Sequence, residues 1–156
     1  MQRQYFDNLD LTILHALANN ARTPYLEIAR EYGVSGAAVH QRVQRLMANK
    51  VIIGSQCILN PEAIGFNTLA YVGLNLLPEA VFDDVIAALE TIPEITECHL
   101  VTGPYDLIIR LEAHDNNHLF DLVQKKLRPL GMFGTETMLS FRQVFKRPLP
   151  ITNEEP

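Results

Sequence analysis

Apolar residues recur at two different spacings along this 156-residue chain, and the spacing changes near residue 66. Leu9, Ile13, Leu14 and Leu17 keep the three-and-four rhythm of one helical stripe. They predict a first helix that starts at Asp7 or Asn8, either able to cap it, and runs to about Asn19. Residues 19–24 break the pattern. Thr23 is expected to cap and Pro24 to open a second helix carrying Leu26, Ile28, Ala29 and Tyr32. Gly33 ends that helix, and Ser35 caps a third in which Val39, Val43 and Leu46 share one side at about 100° per residue. Residues 51–59 are β-branched and apolar around Gly54-Ser55, predicting a short strand pair, a rudimentary wing.

From Thr68 the period falls to two. Ala70, Val72, Leu74 and Leu76 line one face of a strand, and Leu69, Tyr71, Gly73 and Asn75 the other. A helix follows over residues 78–91 (Val81, Val85, Ile86, Leu89), then strands over 95–102 and 106–112 joined at Gly103-Pro104. Asp115 or Asn116 caps a last helix through Leu119, Leu122, Val123, Leu127 and Leu130, and residues 135–146 make the final strand. Strand, helix, strand, strand, helix, strand is the ferredoxin-like βαββαβ order. The fold class is therefore α+β. A winged helix-turn-helix occupies residues 1–60, a linker 61–66, the ferredoxin-like domain 67–147, and a proline-rich tail 148–156, expected to be loose or lying on a neighbour. Two helices cover only one face of four strands. The other, with Leu69, Tyr71 and Ile108, is too apolar to stay wet, so at least a homodimer is expected.

Composition narrows the class. The hydrophobic fraction of 47% suits a folded protein. No run of about 18 apolar residues calls for a membrane span, and the first residues lack the basic-then-apolar order of a signal peptide. Cys57 and Cys98 form no close pair, so neither disulfides nor a zinc finger is expected, and the cytoplasm is the expected compartment. The net charge of −5 divides unevenly. Residues 1–60 carry six basic side chains (Arg3, Arg22, Arg30, Arg42, Arg45, Lys50) against four acidic ones (Asp7, Asp10, Glu27, Glu31). The remainder carries seven against fourteen. A basic head on an acidic body fits a DNA module joined to a domain that avoids DNA.

The head supplies the chemistry. Residues 29–43 read as helix, glycine turn and serine-capped helix, the helix-turn-helix pattern that offers its second helix to a major groove. Opposite the apolar side stand Ala37, Gln41, Gln44 and Arg45, flanked by His40 and Arg42. Glutamine and arginine can make paired hydrogen bonds to adenine and guanine edges. Ser35, Gly36 and Ala37 let the helix start approach phosphates closely. Residues 35–50 hold no carboxylate. The competing reading is a solvated face, with Arg42 paired to Glu27 or Glu31.

Several pieces occur in a telling order: Leu9-Asp10, Tyr32-Gly33-Val34-Ser35, Arg42-Val43, Ile53-Gly54, Asn60-Pro61-Glu62-Ala63-Ile64-Gly65 and Val101-Thr102-Gly103-Pro104-Tyr105-Asp106. Together, from about residue 7 to 146, they resemble the Lrp/AsnC family of bacterial and archaeal transcription regulators. The resemblance implies double-stranded DNA as a partner, dimers assembling into octamers or larger discs, and an amino acid as small-molecule effector, bound between dimers. It departs from the family where Gly103-Pro104-Tyr105-Asp106 replaces Gly-Asp-Tyr-Asp. A free amino acid needs an anion for its ammonium and neutral donors for its carboxylate. Asp106 can supply the first; the Gly103 and Tyr105 N–H groups and the hydroxyls of Thr135 or Thr137 can supply the second. The alternative is a plain β-turn with Asp106 as a strand-entry cap. Sirohaem decarboxylases resemble the same two-domain scaffold, so a tetrapyrrole enzyme is the runner-up; the intact turn glycine and Ser35 cap favour a regulator that is not an enzyme. No cofactor is expected. His114 and His118, four apart, lack a third ligand, and strand alternation points His99 and Cys98 to opposite sheet faces, so no metal is expected.

Overall fold

The structure, a computed structural model, describes residues 5–151. Helix α1 (Asn8–Asn19) is capped by Asp7 in a reciprocal arrangement. The Asp7 carboxylate accepts the Asp10 N–H at 2.9 Å, and the Asp10 carboxylate accepts the Asp7 N–H at 3.4 Å. Helix α2 (Tyr25–Tyr32) has Pro24 in the cap position and no side-chain cap. Thr23 does not cap it; its hydroxyl donates to the Asn20 carbonyl at 2.8 Å and closes the preceding turn. Helix α3 (Gly36–Ala48) buries Val39, Val43 and Leu46 as the spacing predicts. These pack with Leu9, Ile13, Leu14, Ile28 and Ala29 into one small core, whereas Leu26 stays exposed.

The expected strand pair over 51–59 does not form. The N–H groups of Val51 and Ile52 turn back to the Leu46 carbonyl (2.9 and 3.2 Å), and both side chains join the head core. No sheet pairing remains for the residues that follow, and Ile53 and Ile58 are exposed. Two compact units result: one runs to Ile58 and takes back the segment from Phe145, the other is Leu59–Val144. Ile151, in the expected loose tail, packs on the head core; residues 152–156 lie outside the described residues. The expected linker 61–66 belongs to the second unit. A 3₁₀ turn (Glu62–Ile64) leads to Gly65, whose carbonyl meets His114 Nδ1 at 2.8 Å. Phe66 stacks on His114 (ring centroids 4.6 Å), and His114 on His118 (4.9 Å).

In that unit the elements are β1 (Thr68–Leu76), α4 (Phe82–Glu90), β2 (Ile95–Leu100), β3 (Leu107–Ala113), α5 (Asn116–Asp121) and β4 (Met132–Ser140). Helix α5, capped by Asp115, continues through a π-helical stretch (Leu122–Leu127) and a 3₁₀ turn (Arg128–Leu130). The sheet order is β2-β3-β1-β4 and every neighbouring pair is antiparallel, the ferredoxin-like arrangement. Strand β4 starts three residues before the predicted Thr135 and stops six before Lys146. Ala70, Val72, Leu74, Ile109 and Leu111 pack under Val85, Leu89, Leu119, Leu122 and Leu127. The uncovered face carries Tyr71 and Met138, as the alternation requires, but a charged belt crosses it: Arg110 meets Glu112 at 2.5 Å and Glu97 at 3.7 Å.

Ile13, fully buried among the three head helices, offers a test of this division. Ile13→Ala should cost the head about 2–5 kcal/mol. Amide protection should fall across α1–α3 while β1, β3 and β4 keep theirs, as hydrogen exchange would show.

Candidate nucleic-acid interface and effector loop

The turn before α3 depends on one backbone angle. Gly33 adopts φ 77°, in the left-handed region that side chains with a Cβ resist, and ends α2. The Val34 N–H then reaches the Ala29 carbonyl at 2.9 Å. Ser35 Oγ accepts the Ala38 N–H at 3.2 Å and starts α3. Ser35, Ala37, His40, Gln41, Gln44 and Arg45 are exposed, while Gly36 and Arg42 are half-buried. His40 leans against Tyr25 of α2, ring centroids 5.9 Å apart. The predicted outer face of α3 is thus present.

Its arginines are held differently from expectation. Arg42 does not pair with Glu27 or Glu31. Its Nη1 donates to Asp7 Oδ2 at 2.5 Å and to Asp10 Oδ1 at 3.2 Å, both at the start of α1. Arg45 Nη2 donates to Asp10 Oδ2 at 2.6 Å. Helix α3 itself bears no carboxylate, but α1 brings two against its flank. Asp10 is 1% exposed, and a buried carboxylate needs such partners. The Asp10 N–H, and next the Arg42 guanidinium, hold the Asp7 carboxyl below its ordinary range. The Asp7 carboxylate in turn raises the Arg42 guanidinium further, with Asp10 adding to it. Asp10 was missing from the predicted site although the sequence carried a signal: it interrupts the apolar stripe of α1, between Leu9 and Ile13.

The second site is the loop from Val101 to Asp106. Tyr105 lies flat over Gly73 of β1, where an added Cβ would stand 2.6–2.7 Å from the ring. Only glycine admits that approach. The Tyr105 hydroxyl donates to Glu136 of β4 at 2.5 Å, and that carboxylate raises the phenol pKa, with burial adding to it. Asp106 acts as a strand cap. Its N–H donates to the Leu74 carbonyl at 3.0 Å, and Oδ2 accepts the Leu76 N–H at 2.8 Å, while Oδ1 of this exposed residue takes no hydrogen bond among the described residues. The register separates the remaining expected donors. Thr135 and Thr137 stand opposite Leu74 and Val72, on the helix-covered face, whereas Glu136 stands opposite Gly73 on the uncovered one. Gly103, Tyr105 and Asp106 therefore come together, with Glu136 as an addition, and the two threonines do not join them. Among the described residues no group of three or more His, Cys, Asp or Glu is placed to hold a metal ion.

Comparison with known proteins covers both units. Residues 6–47 match the AsnC-type helix-turn-helix domain, and residues 69–150 match the Lrp/AsnC ligand binding domain. Regulatory protein AsnC of Escherichia coli is 30% identical over 148 residues, covering 94% of this chain and 97% of that protein. Its solved structure superposes with a TM-score of 0.87, over 94% of this chain and 99% of that one. The HTH-type transcriptional regulator Ptr1 of Methanocaldococcus jannaschii is 33% identical, covering 92% and 99% of the two chains. A feast or famine regulatory protein from M. tuberculosis, solved in complex with L-methionine, is 28% identical with a TM-score of 0.84, over 91% and 96%.

Two tests follow from the geometry. A carboxyl whose pKa is lowered by folding stabilises the fold above its ordinary value, and that contribution disappears as pH falls through the lowered one. Head stability should therefore decline below pH about 4, and Asp7→Asn should be less stable at neutral pH with a shallower acid decline. Urea unfolding followed by helical circular dichroism across pH reads both. For the loop, Gly73→Ala must expel the Tyr105 ring, at a cost of about 1–3 kcal/mol. An ultraviolet titration should then show one tyrosine returning from above its usual range toward a pKa of about 10.

Proposed function

The chain belongs to the Lrp/AsnC family of transcription regulators, and from that premise we propose that α3 enters the major groove of duplex DNA while the 101–106 loop binds a free amino acid. One observation carries the DNA half: Ser35, Ala37, His40, Gln41, Gln44 and Arg45 form an exposed face on a helix without a carboxylate of its own, held by a left-handed glycine turn. Ser35, Gly36 and Ala37 bring the helix start to the phosphates, and Arg42 steadies the flank. The role is binding, not catalysis, and is exercised in the cytoplasm. Among the described residues no helix is long and apolar enough to cross a membrane.

For the effector, the unengaged Asp106 Oδ1 receives the ammonium, and the Gly103 and Tyr105 N–H groups receive the carboxylate. Thr135 and Thr137, on the opposite sheet face from Tyr105, contribute from a neighbouring subunit. The relative solved with L-methionine supports an amino acid as the ligand class. The uncovered face, with Tyr71 and Met138 exposed, is the surface for dimerisation, from which octamers or larger discs are built.

Retention of fragments of the source genome by the full-length protein tests the reading. Binding should be strong in dilute buffer and fall by about 10³-fold or more between 50 and 200 mM salt. An amino acid among the twenty should alter the retained set, with Asp106→Asn removing the response while basal DNA binding persists. No retention at any salt would refute the DNA half. No heat of binding from any amino acid in calorimetry would refute the other.

A further inference from the structure

On a helix wheel the outer face of α3 holds two kinds of side chain able to read bases, and the structure treats them differently. Among the described residues, the Gln41 and Gln44 side chains make no hydrogen bond to another group, and both are exposed. Arg42 and Arg45 each have a terminal nitrogen engaged by carboxylates of α1, at 2.5–3.2 Å. Paired reading of guanine needs two parallel N–H groups from one guanidinium edge, aimed at O6 and N7. Reading a base with the guanidinium edge that turns Nη2 away would pull that nitrogen from Asp10, a carboxylate that is 1% exposed. Leaving a buried charge short of partners costs more than one base contact returns. The glutamines face no such cost.

Resting on the reading that α3 enters DNA, we propose that Gln41 and Gln44 read the bases, adenine above all, while Asp10 is a positioning residue that confines Arg42 and Arg45 to the backbone. Glutamine pairs with adenine through N6 and N7. The two are three residues apart, and hence neighbours on one helix face. Arg45, half exposed, keeps donors for a phosphate, but its charge is largely answered by Asp10. The two carboxylates and two guanidinium groups sum to zero, so non-specific attraction at the flank of α3 is damped. Discrimination among sequences is left to neutral side chains. In this arrangement Asp10 serves specificity without touching DNA.

The test uses the full-length protein with two probes: a randomised duplex pool for selection, and one fixed 30-base-pair duplex of unselected sequence titrated with salt. Gln44→Ala and Gln41→Ala should each erase an adenine preference in the selected consensus and weaken the selected duplex by about tenfold, a larger factor than for the unselected one. Arg45→Ala should weaken both duplexes by the same factor and keep the consensus. Asp10→Asn preserves the shape of the side chain. It should tighten the unselected duplex, steepen log affinity against log salt by about 1 per released cation, and lower the ratio of selected to unselected binding. If Arg45→Ala removes a guanine preference while Gln44→Ala leaves the consensus intact, the allocation is overturned. An Asp10→Asn protein that binds both duplexes more weakly with an unchanged salt slope overturns the role given to Asp10. Should Asp10→Asn fail to fold, the Arg45 and Gln44 comparison decides alone. Failure of the wild-type protein to bind either probe in dilute buffer would sink the DNA reading, and this inference with it.

Discussion

Asp10 sits where a charge is hardest to keep, inside the apolar stripe of α1, and the head is built around that constraint. Its carboxylate takes one bond from the Asp7 N–H and two from the arginines of α3. Bonds of this kind tolerate little misplacement. They therefore fix the rotation of α3 about its own axis as well as its distance from α1. Hydrophobic burial of Val39, Val43 and Leu46 places the helix against the core without specifying rotation so closely, because apolar packing is not directional. The exposed face that presents Gln41 and Gln44 is in this sense oriented by an ion-pair cluster at its flank. Apolar replacement of such a cluster is often neutral for stability, so the contribution we assign to it is orientation.

In the second unit the equivalent constraint is strand register. Strand β1 is central, and its neighbours β3 and β4 are both pinned to it residue by residue. A slip of one residue would exchange the two faces. Register is what puts Gly73 under the Tyr105 ring and Glu136 beside its hydroxyl. Asp106 reinforces the same register by bonding the Leu76 N–H at the end of β1. The loop residues thus both shape one end of the sheet and form the proposed effector site. Substituting them tests two things at once, which is why Asp106→Asn must be judged against a property it should leave intact.

Periodicity made most of the architecture legible. The three head helices, the four strands and the helix-covered face follow from alternation and from three-and-four spacing, signals that report burial directly. What escaped was whatever depends on the choice of a particular hydrogen-bond partner rather than on burial. Thr23 closes a turn because the Asn20 carbonyl is near, a fact that no capping preference contains. Residues 51–59 have the composition of strands, yet Val51 and Ile52 are drawn back to Leu46 and nothing pairs with the rest. Thr135 and Thr137 were placed with Tyr105 by chemistry alone, and register put them on the other face. The Arg42 partners were sought on the nearest helix, α2, when the carboxylate in greatest need of a cation was Asp10. An acid inside an apolar stripe is the one long-range clue that the sequence displayed openly.

The proposed effector site has a consequence for regulation. Within one chain Asp106 already serves the Leu76 N–H, and the Tyr105 hydroxyl serves Glu136. The two threonines face away from both. A ligand resting on this loop alone would meet one carboxylate oxygen and a pair of N–H groups, too few to hold a small zwitterion out of water. Under the proposed reading, hydroxyls from a second copy would complete the set. Ligand affinity would then depend on assembly, and by linkage assembly would depend on ligand to the same degree. Such a regulator needs no conformational wire from loop to DNA helix. Changing which assembly is populated changes how many copies of α3 are presented together, and at what spacing along the duplex.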